Sequence, residues 1–274
     1  MTLSEALKSG TEKVGRRDAM LLLSYITGND ESWIMIHGDE AIKPSHYTMY
    51  LADLERYYNG EPMQYILGKW AFMGIEFNVD KRALIPRSET ELLVEEALKF
   101  IQYSQKPLIN VLDICTGTGC IALSIACLTE AKTTKITAVD ISSDALSLAK
   151  ENAEKLNIPP SHVKFIKSDL ADVIINQKFD VIISNPPYIL HEDIATLSQT
   201  VRDFEPHLAL DGGKDGMDIY RRLIPQSFEL LNNGGMLLLE IGPVAVVNLM
   251  ADFKEIKIIQ DYAGLERIVT GVKI

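Results

Sequence analysis

The sequence predicts an α/β protein: a doubly wound, mostly parallel sheet preceded by a small helical domain. Three observations carry that expectation. From about residue 108, short apolar runs alternate with helical patterns of roughly ten to fifteen residues, the order that produces βαβ units. A glycine-containing loop, Thr116-Gly-Thr-Gly119, joins the first of those runs to a helical one. Residues 1 to about 70, by contrast, hold no convincing strand.

Within residues 1–70, Leu3, Ala6 and Leu7, then Ala19, Leu22, Leu23 and Ile26, then Tyr50, Leu51, Leu54, Tyr57 and Tyr58 recur at the spacing of amphipathic helices. Gly28-Asn-Asp30 and Lys43-Pro-Ser45 separate them. Residues 71–86 read as a hairpin-like linker, because the stretch from Tyr65 to Val79 is aromatic and β-branched around Gly68 and Gly74. Ser88-Glu-Thr-Glu91 has the form of a capping box opening a helix, with Leu92, Leu93, Ala97, Leu98 and Ile101 on its apolar face. Residues 87–274 then form the main domain, with strands expected at 109–114, 135–140, 163–166, 179–183 and 236–241, and helices at 120–128 and 143–156. The runs 256–260 and 267–272 flank Tyr262-Ala-Gly264, too short for a crossover helix, so they pair antiparallel and complete a seven-stranded sheet. Pro225, inside the helical pattern 217–231, is expected to kink or break it.

Composition narrows the function classes. The chain of 274 residues has 27 Lys and Arg against 38 Asp and Glu, a net charge of −11. That disfavours a general DNA or anionic-membrane binder, which needs basic surface. The three cysteines, 115, 120 and 127, contain no C-x-x-C pair and fit buried thiols in a reducing compartment. The N-terminus is unlike a signal peptide, and no apolar run approaches the ~20 residues that span a bilayer, so a cytoplasmic protein is expected. The five histidines lack metal-ligand spacing, and no G-x-S-x-G elbow occurs.

The chemistry-bearing residues fall in two places. Asp113-Ile-Cys115-Thr116-Gly117-Thr118-Gly119 follows the first strand and opens a helix, where glycines allow close backbone approach and helix N–H groups are free. Asp140 ends the next strand, placed to accept both hydroxyls of a ribose. This pattern indicates a nucleoside cofactor without saying which, since Gly117-x-Gly119-x-x-Ala122 also meets a dinucleotide fingerprint. Asn185-Pro186-Pro187-Tyr188 ends the fourth strand of the main domain, at the sheet edge that borders ligands in such folds. Consecutive prolines lack N–H groups and fix φ, so their carbonyls can be aimed, and Asn185 adds a side-chain acceptor. Together they make a rigid clamp for an –NH2 group, with Tyr188 as a flat surface beside it.

On these residues the sequence resembles class I S-adenosylmethionine (AdoMet)-dependent methyltransferases of the N-P-P-[YFW] type, and more closely the PrmC/HemK family. The resemblance extends to Gly60-Glu-Pro-Met-Gln-Tyr-Ile-Leu-Gly68, Leu84-Ile-Pro-Arg87-Ser-Glu-Thr-Glu91, Glu205-Pro206, Asp215-Gly216 and Leu239-Glu-Ile-Gly242, nearly the whole chain. It implies methyl transfer from AdoMet, with S-adenosyl-L-homocysteine as product, to the N5 amide of the glutamine in the Gly-Gly-Gln loop of class 1 peptide chain release factors. It also implies a substrate-recognition role for the N-terminal helices. AdoMet would lie against Asp113, the loop Cys115–Gly119 and Asn185, with Asp140 at the ribose and Asp169-Leu170 near the adenine. Asn185, Pro186, Pro187 and Tyr188 would hold the target glutamine. The chain departs from the family at Cys115, where a glycine is usual, at Leu170, where an aromatic is frequent, and at Pro243.

The expected chemistry needs no metal. An amide nitrogen is a poor nucleophile because its lone pair is delocalised into the carbonyl. Hydrogen bonds from its N–H groups to the Asn185 oxygen and the Pro186 carbonyl would orient it and favour localisation of that lone pair. Positioning and preorganised acceptors can supply on the order of 7–11 kcal/mol. An adenine amino group fits the same acceptors, so a nucleic-acid adenine N6-methyltransferase is the alternative enzyme. A silent AdoMet-binding module and a dehydrogenase are the readings from other classes. Trp70, Phe72 and Phe77 are expected as packing, Arg87 as partner either of an anionic ligand or of a carboxylate, Glu151, Glu154 and Lys155 as a solvated helix face, and Arg221-Arg222 as surface.

Overall fold

The computed structural model describes residues 1–274 except Ala131 and Pro243, so the departure at Pro243 lies outside the described residues. The chain divides into two compact units, Met1–Gly68 with Ser198–Phe204, and Lys69–Leu197 with Glu205–Ile274.

The first unit contains α1 (Leu3–Val14), α2 (Arg16–Thr27), α3 (Glu31–Ile36), α4 (Pro44–Tyr58) and α5 (Met63–Leu67). A capping box starts α1: the Thr2 hydroxyl accepts from the Glu5 N–H at 3.2 Å, and the Glu5 carboxylate accepts from the Thr2 N–H at 2.8 Å. Leu3, Ala6, Leu22, Leu23, Tyr50 and Leu54 form the buried stripe that the spacing predicts, whereas Leu51 and Tyr58 face solvent. The Tyr50 hydroxyl donates to the Ala19 carbonyl at 3.1 Å, which satisfies the one polar atom this side chain brings into the core.

The second unit opens with an antiparallel hairpin, β1 (Lys69–Phe72) and β2 (Ile75–Asn78). Phe72 and Phe77 are fully buried and meet edge to face at 6.2 Å. The residues 71–86 expected as a linker therefore belong to this unit and contribute to its core. The next helix, α6 (Ser88–Tyr103), corrects the capping-box expectation. Its N-cap is Arg87, with no side-chain cap, and the Ser88 hydroxyl turns to Glu89. Glu91 accepts instead from the Met73 N–H in the hairpin turn at 2.7 Å, so a tertiary partner takes the carboxylate that the local motif would use.

The sheet follows as β3 (Ile109–Ile114), α7 (Cys120–Leu128), β4 (Thr134–Asp140), α8 (Ser143–Lys155), β5 (Val163–Lys167) and β6 (Phe179–Ser184). After α9 (Gln199–Phe204), which belongs to the first unit, come α10 (Asp218–Leu230), β7 (Leu231–Glu240), β8 (Lys254–Gln260) and β9 (Glu266–Val272). The strand order is β5-β4-β3-β6-β7-β9-β8, with β9 antiparallel to both of its neighbours and the other pairings parallel. Alternate residues feed opposite layers: Val111, Val181 and Ile183 join the core beneath α6 and α7, while Leu112, Ile182 and Leu237 join the core beneath α10. Helix α10 runs unbroken through Pro225, contrary to the expected break, and buries Tyr220, Leu223, Ile224 and Leu230 around it.

Strand order reverses between β3 and β6. Chain segments leaving the carboxyl ends of these two strands must diverge there and leave a crevice.

Candidate active site

The loop after β3 depends on three residues in the left-handed region, Cys115 (φ 62), Gly117 (φ 54) and Gly119 (φ 80). Glycine adopts this conformation freely; for Cys115 it costs roughly 1–2 kcal/mol, the physical reason a glycine is favoured at that position. Gly119 caps α7, and a Cβ there would lie 3.1 Å from both Ala149 Cβ and Leu123 Cδ1. Under the loop, the Asp113 carboxylate accepts from the Thr116 hydroxyl at 2.6 Å and from the Ala122 N–H at 3.3 Å. Burial pushes this carboxyl up to about 7, against those two hydrogen bonds. Asp140 braces the loop from the next strand, accepting from the N–H groups of Gly117 and Ser142, each at 2.9 Å. Burial raises its pKa as well. Two backbone bonds leave lone pairs on both Asp140 oxygens for a further donor.

A cavity of about 340 Å³ opens where these loops meet, a size suited to a small-molecule ligand. Cys115, Thr116, Gly117 and Thr118 line it after β3, Asp140 after β4, Asp169 and Leu170 after β5, and Asn185 and Pro187 after β6. The structure thus brings together most of the residues that the sequence singles out. Asp113 and Gly119 do not line the cavity; they shape the loop from behind. Pro186 and Tyr188 are likewise absent from its walls.

The opposite wall is a strap, Ala83 to Arg87, which sequence reasoning flagged only by resemblance. Buried Glu205 pins it by accepting from Arg87 Nη2 at 2.6 Å and from the Ile85 N–H at 3.2 Å, so Arg87 serves a carboxylate. Arg222 is not free surface: it lines the cavity and pairs with Asp169 at 2.7 Å. Arg221 does lie outside, bound to Asp215 and Asp218. The helix face expected to be solvated is exposed at Glu151, Glu154 and Lys155, with Glu151 pairing with Arg82 and Lys155 with Glu76 at the surface. Among the cysteines, Cys120 is buried, Cys115 partly so and Cys127 exposed, and all three are free thiols.

Asn185 sits immediately beyond β6, next to the end of β7, because Ser184 pairs with Leu239 in the parallel register. Its Nδ2 donates to the Thr90 hydroxyl oxygen at 3.2 Å. Thr90, in the first turn of α6, donates in turn to Glu240 Oε2 at 2.6 Å. The Tyr188 hydroxyl donates to Glu240 Oε1 at 3.3 Å, and burial raises the pKa values of both Tyr188 and Glu240. Three glycines seat Tyr188: a Cβ would come within 2.6 Å of its Cα at Gly212, within 2.5 Å of its carbonyl oxygen at Gly216, and within 2.5 Å of ring atom Cδ2 at Gly242. Thr90 and Glu240 lie in segments that the sequence marks only by resemblance, and no local pattern links positions so distant in the chain.

Comparison with known proteins agrees with this geometry. The PrmC N-terminal domain family matches residues 2–68, and the Methyltransferase small domain family matches residues 90–214. The release factor glutamine methyltransferase of Clostridium acetobutylicum is 36% identical, covering 97% of this chain and 94% of that one. The protein of the same name from Koribacter versatilis is 38% identical over 100% of this chain and 99% of its own. The one from Bacillus subtilis is 37% identical over 99% and 98%. Among solved structures, a Pyrococcus furiosus methyltransferase shares the fold with a TM-score of 0.51 and 21% identity, covering 74% of this chain and 91% of its own. A T. thermophilus 16S rRNA methyltransferase in complex with AdoMet and guanosine does so with a TM-score of 0.54 and 16% identity, covering 75% of this chain and 50% of its own. At over a third of positions identical across essentially full length, the chain belongs to the release factor glutamine methyltransferase family.

Proposed function

We propose that this protein transfers a methyl group from AdoMet to the N5 amide nitrogen of the glutamine in the Gly-Gly-Gln loop of class 1 release factors, and does so in the cytoplasm. The observation that carries this reading is that Asn185 and Pro187 share one cavity with the glycine loop, Asp140 and Asp169. Among the described residues no helix is long and apolar enough to cross a membrane.

The residues fit the cofactor. Asp140 has lone pairs left for ribose hydroxyls, and at Gly117 a Cβ would meet nothing closer than Ala83 at 3.9 Å, so the missing side chain leaves open space for a ligand. Bound AdoMet supplies an electrophilic methyl on a sulfonium. Asn185, its Nδ2 turned to Thr90, presents Oδ1 as the acceptor for one substrate N–H. The Pro186 carbonyl accepts the other, and Tyr188, held by Glu240 and the glycines, flanks the amide. These acceptors orient the nitrogen lone pair toward the methyl, and that alignment is the main source of acceleration. No side chain is assigned as a general base: the N–CH3 bond would form as the S–CH3 bond breaks, and the amide nitrogen then releases one proton to solvent.

A nucleic-acid substrate is not part of this reading. Purified release factor and duplex DNA, offered side by side with labelled AdoMet and mapped by mass spectrometry, test it. Label on the Gly-Gly-Gln glutamine is expected; label on adenine alone would replace the proposal.

A further inference from the structure

We infer that Thr90 and Glu240 are positioning residues that select which end of the Asn185 amide faces the substrate. The inference rests on the clamp reading above and names what makes the clamp work. An asparagine side chain has two ends of nearly equal shape, one accepting and one donating, and only the accepting end can hold a substrate –NH2. Something must therefore choose.

The choice is made through one hydroxyl. Glu240 is 2% exposed, and its ionised form, which the hydrogen bonds from Thr90 and Tyr188 favour against the upward push of burial, can only accept. Its Oε2 takes the single Thr90 proton at 2.6 Å, a short charge-assisted bond. The Thr90 oxygen, with its proton committed, can face Asn185 only as an acceptor, so it takes Nδ2 at 3.2 Å. Oδ1 then turns away from Thr90. The direction of every bond is set by the carboxylate at the end of the chain.

The same carboxylate serves the other half of the clamp, because Oε1 takes the Tyr188 hydroxyl at 3.3 Å and the Glu240 backbone carbonyl takes that of Tyr220 at 2.8 Å. One buried acid thus fixes the amide and the aromatic of the Asn-Pro-Pro-Tyr motif together. Its connection to Asn185 spans α6 and β7, elements brought together only by the fold.

The test compares Thr90→Val, which keeps shape and loses the hydroxyl, with Thr90→Ser, which keeps the hydroxyl, and with Asn185→Ala. Release factor methylation gives kcat and KM, and calorimetry gives the AdoMet Kd. Thr90→Val is expected to lower kcat at least tenfold with AdoMet Kd within twofold of wild type, and Thr90→Ser to stay within about threefold of wild-type kcat. Wild-type kcat in Thr90→Val, alongside a large loss in Asn185→Ala, would overturn the inference and leave the clamp standing. Wild-type kcat in Asn185→Ala would instead remove the clamp reading itself. Should Thr90→Val fail to fold, wild-type protein carrying labelled asparagine decides the matter. A nuclear Overhauser contact between the Asn185 side-chain N–H protons and the Thr90 side chain is expected, and its absence refutes the orientation.

Discussion

Asp113 shows how a buried group outside the cavity can govern it. One of its oxygens holds Thr116 and Ala122, and the other has no partner among the described residues. With its pKa raised from 3.8 to about 7 by burial, the folded protein keeps this proton over a range in which the unfolded chain has released it. Between about pH 4 and 7 the native state therefore binds more protons, and this group makes stability fall as pH rises. Asp113→Asn keeps an acceptor for Thr116 and removes that slope. Its melting temperature relative to wild type should climb between pH 5 and pH 8, and a constant difference would count against the assignment. At Asp140 the expected effect is on ligand affinity: Asp140→Ala loses charge-assisted bonds worth about 1.5–3 kcal/mol and should raise the AdoMet Kd tenfold or more by calorimetry. Cys115→Gly relieves a left-handed cysteine and should add roughly 0.5–1 kcal/mol of stability in urea unfolding, the strain relief being partly offset by glycine's greater freedom when unfolded.

The elements were legible where burial is nearly continuous along a strand. Strands β3, β4 and β6 are short β-branched runs between glycine-containing or polar breaks, and the sheet encloses them on both faces, so the sequence shows them directly. The glycine loop, Asp140 and the Asn-Pro-Pro-Tyr turn were legible because each is a local pattern tied to a strand end. What could not be read is anything that depends on a distant partner. Glu91 was assigned to its own helix and is claimed by Met73; Arg222 looked like surface and closes on Asp169; Thr90 and Glu240 carry no mark of each other. Pro225 was expected to interrupt α10, yet the buried residues around it hold the helix through that position. At the junction of loop and helix, Gly119→Ala should cost about 1–3 kcal/mol, since the new methyl must displace Ala149 or Leu123 at an unfavourable φ. A lowered urea midpoint with unchanged slope would register it.

In the molecule as a whole, residues from the second unit alone line the cavity, while the first unit has its own core around Leu22, Leu23 and Tyr50. Cofactor binding should accordingly slow hydrogen exchange in β3, β4 and the start of α7 and leave the amides of α1 and α2 unchanged; equal protection in both would show the units to be energetically one. Tyr188 extends the same logic to sequence change. Its seat is made of absences, three positions at which the chain has no side chain at all, 24, 28 and 54 residues further along. A saturation mutagenesis map of this enzyme should therefore show deep intolerance at places off the cavity wall: drift at Gly242, which faces the ring, becomes viable once a smaller residue has replaced the tyrosine, whereas Gly212 and Gly216 face backbone atoms that no replacement of the tyrosine removes.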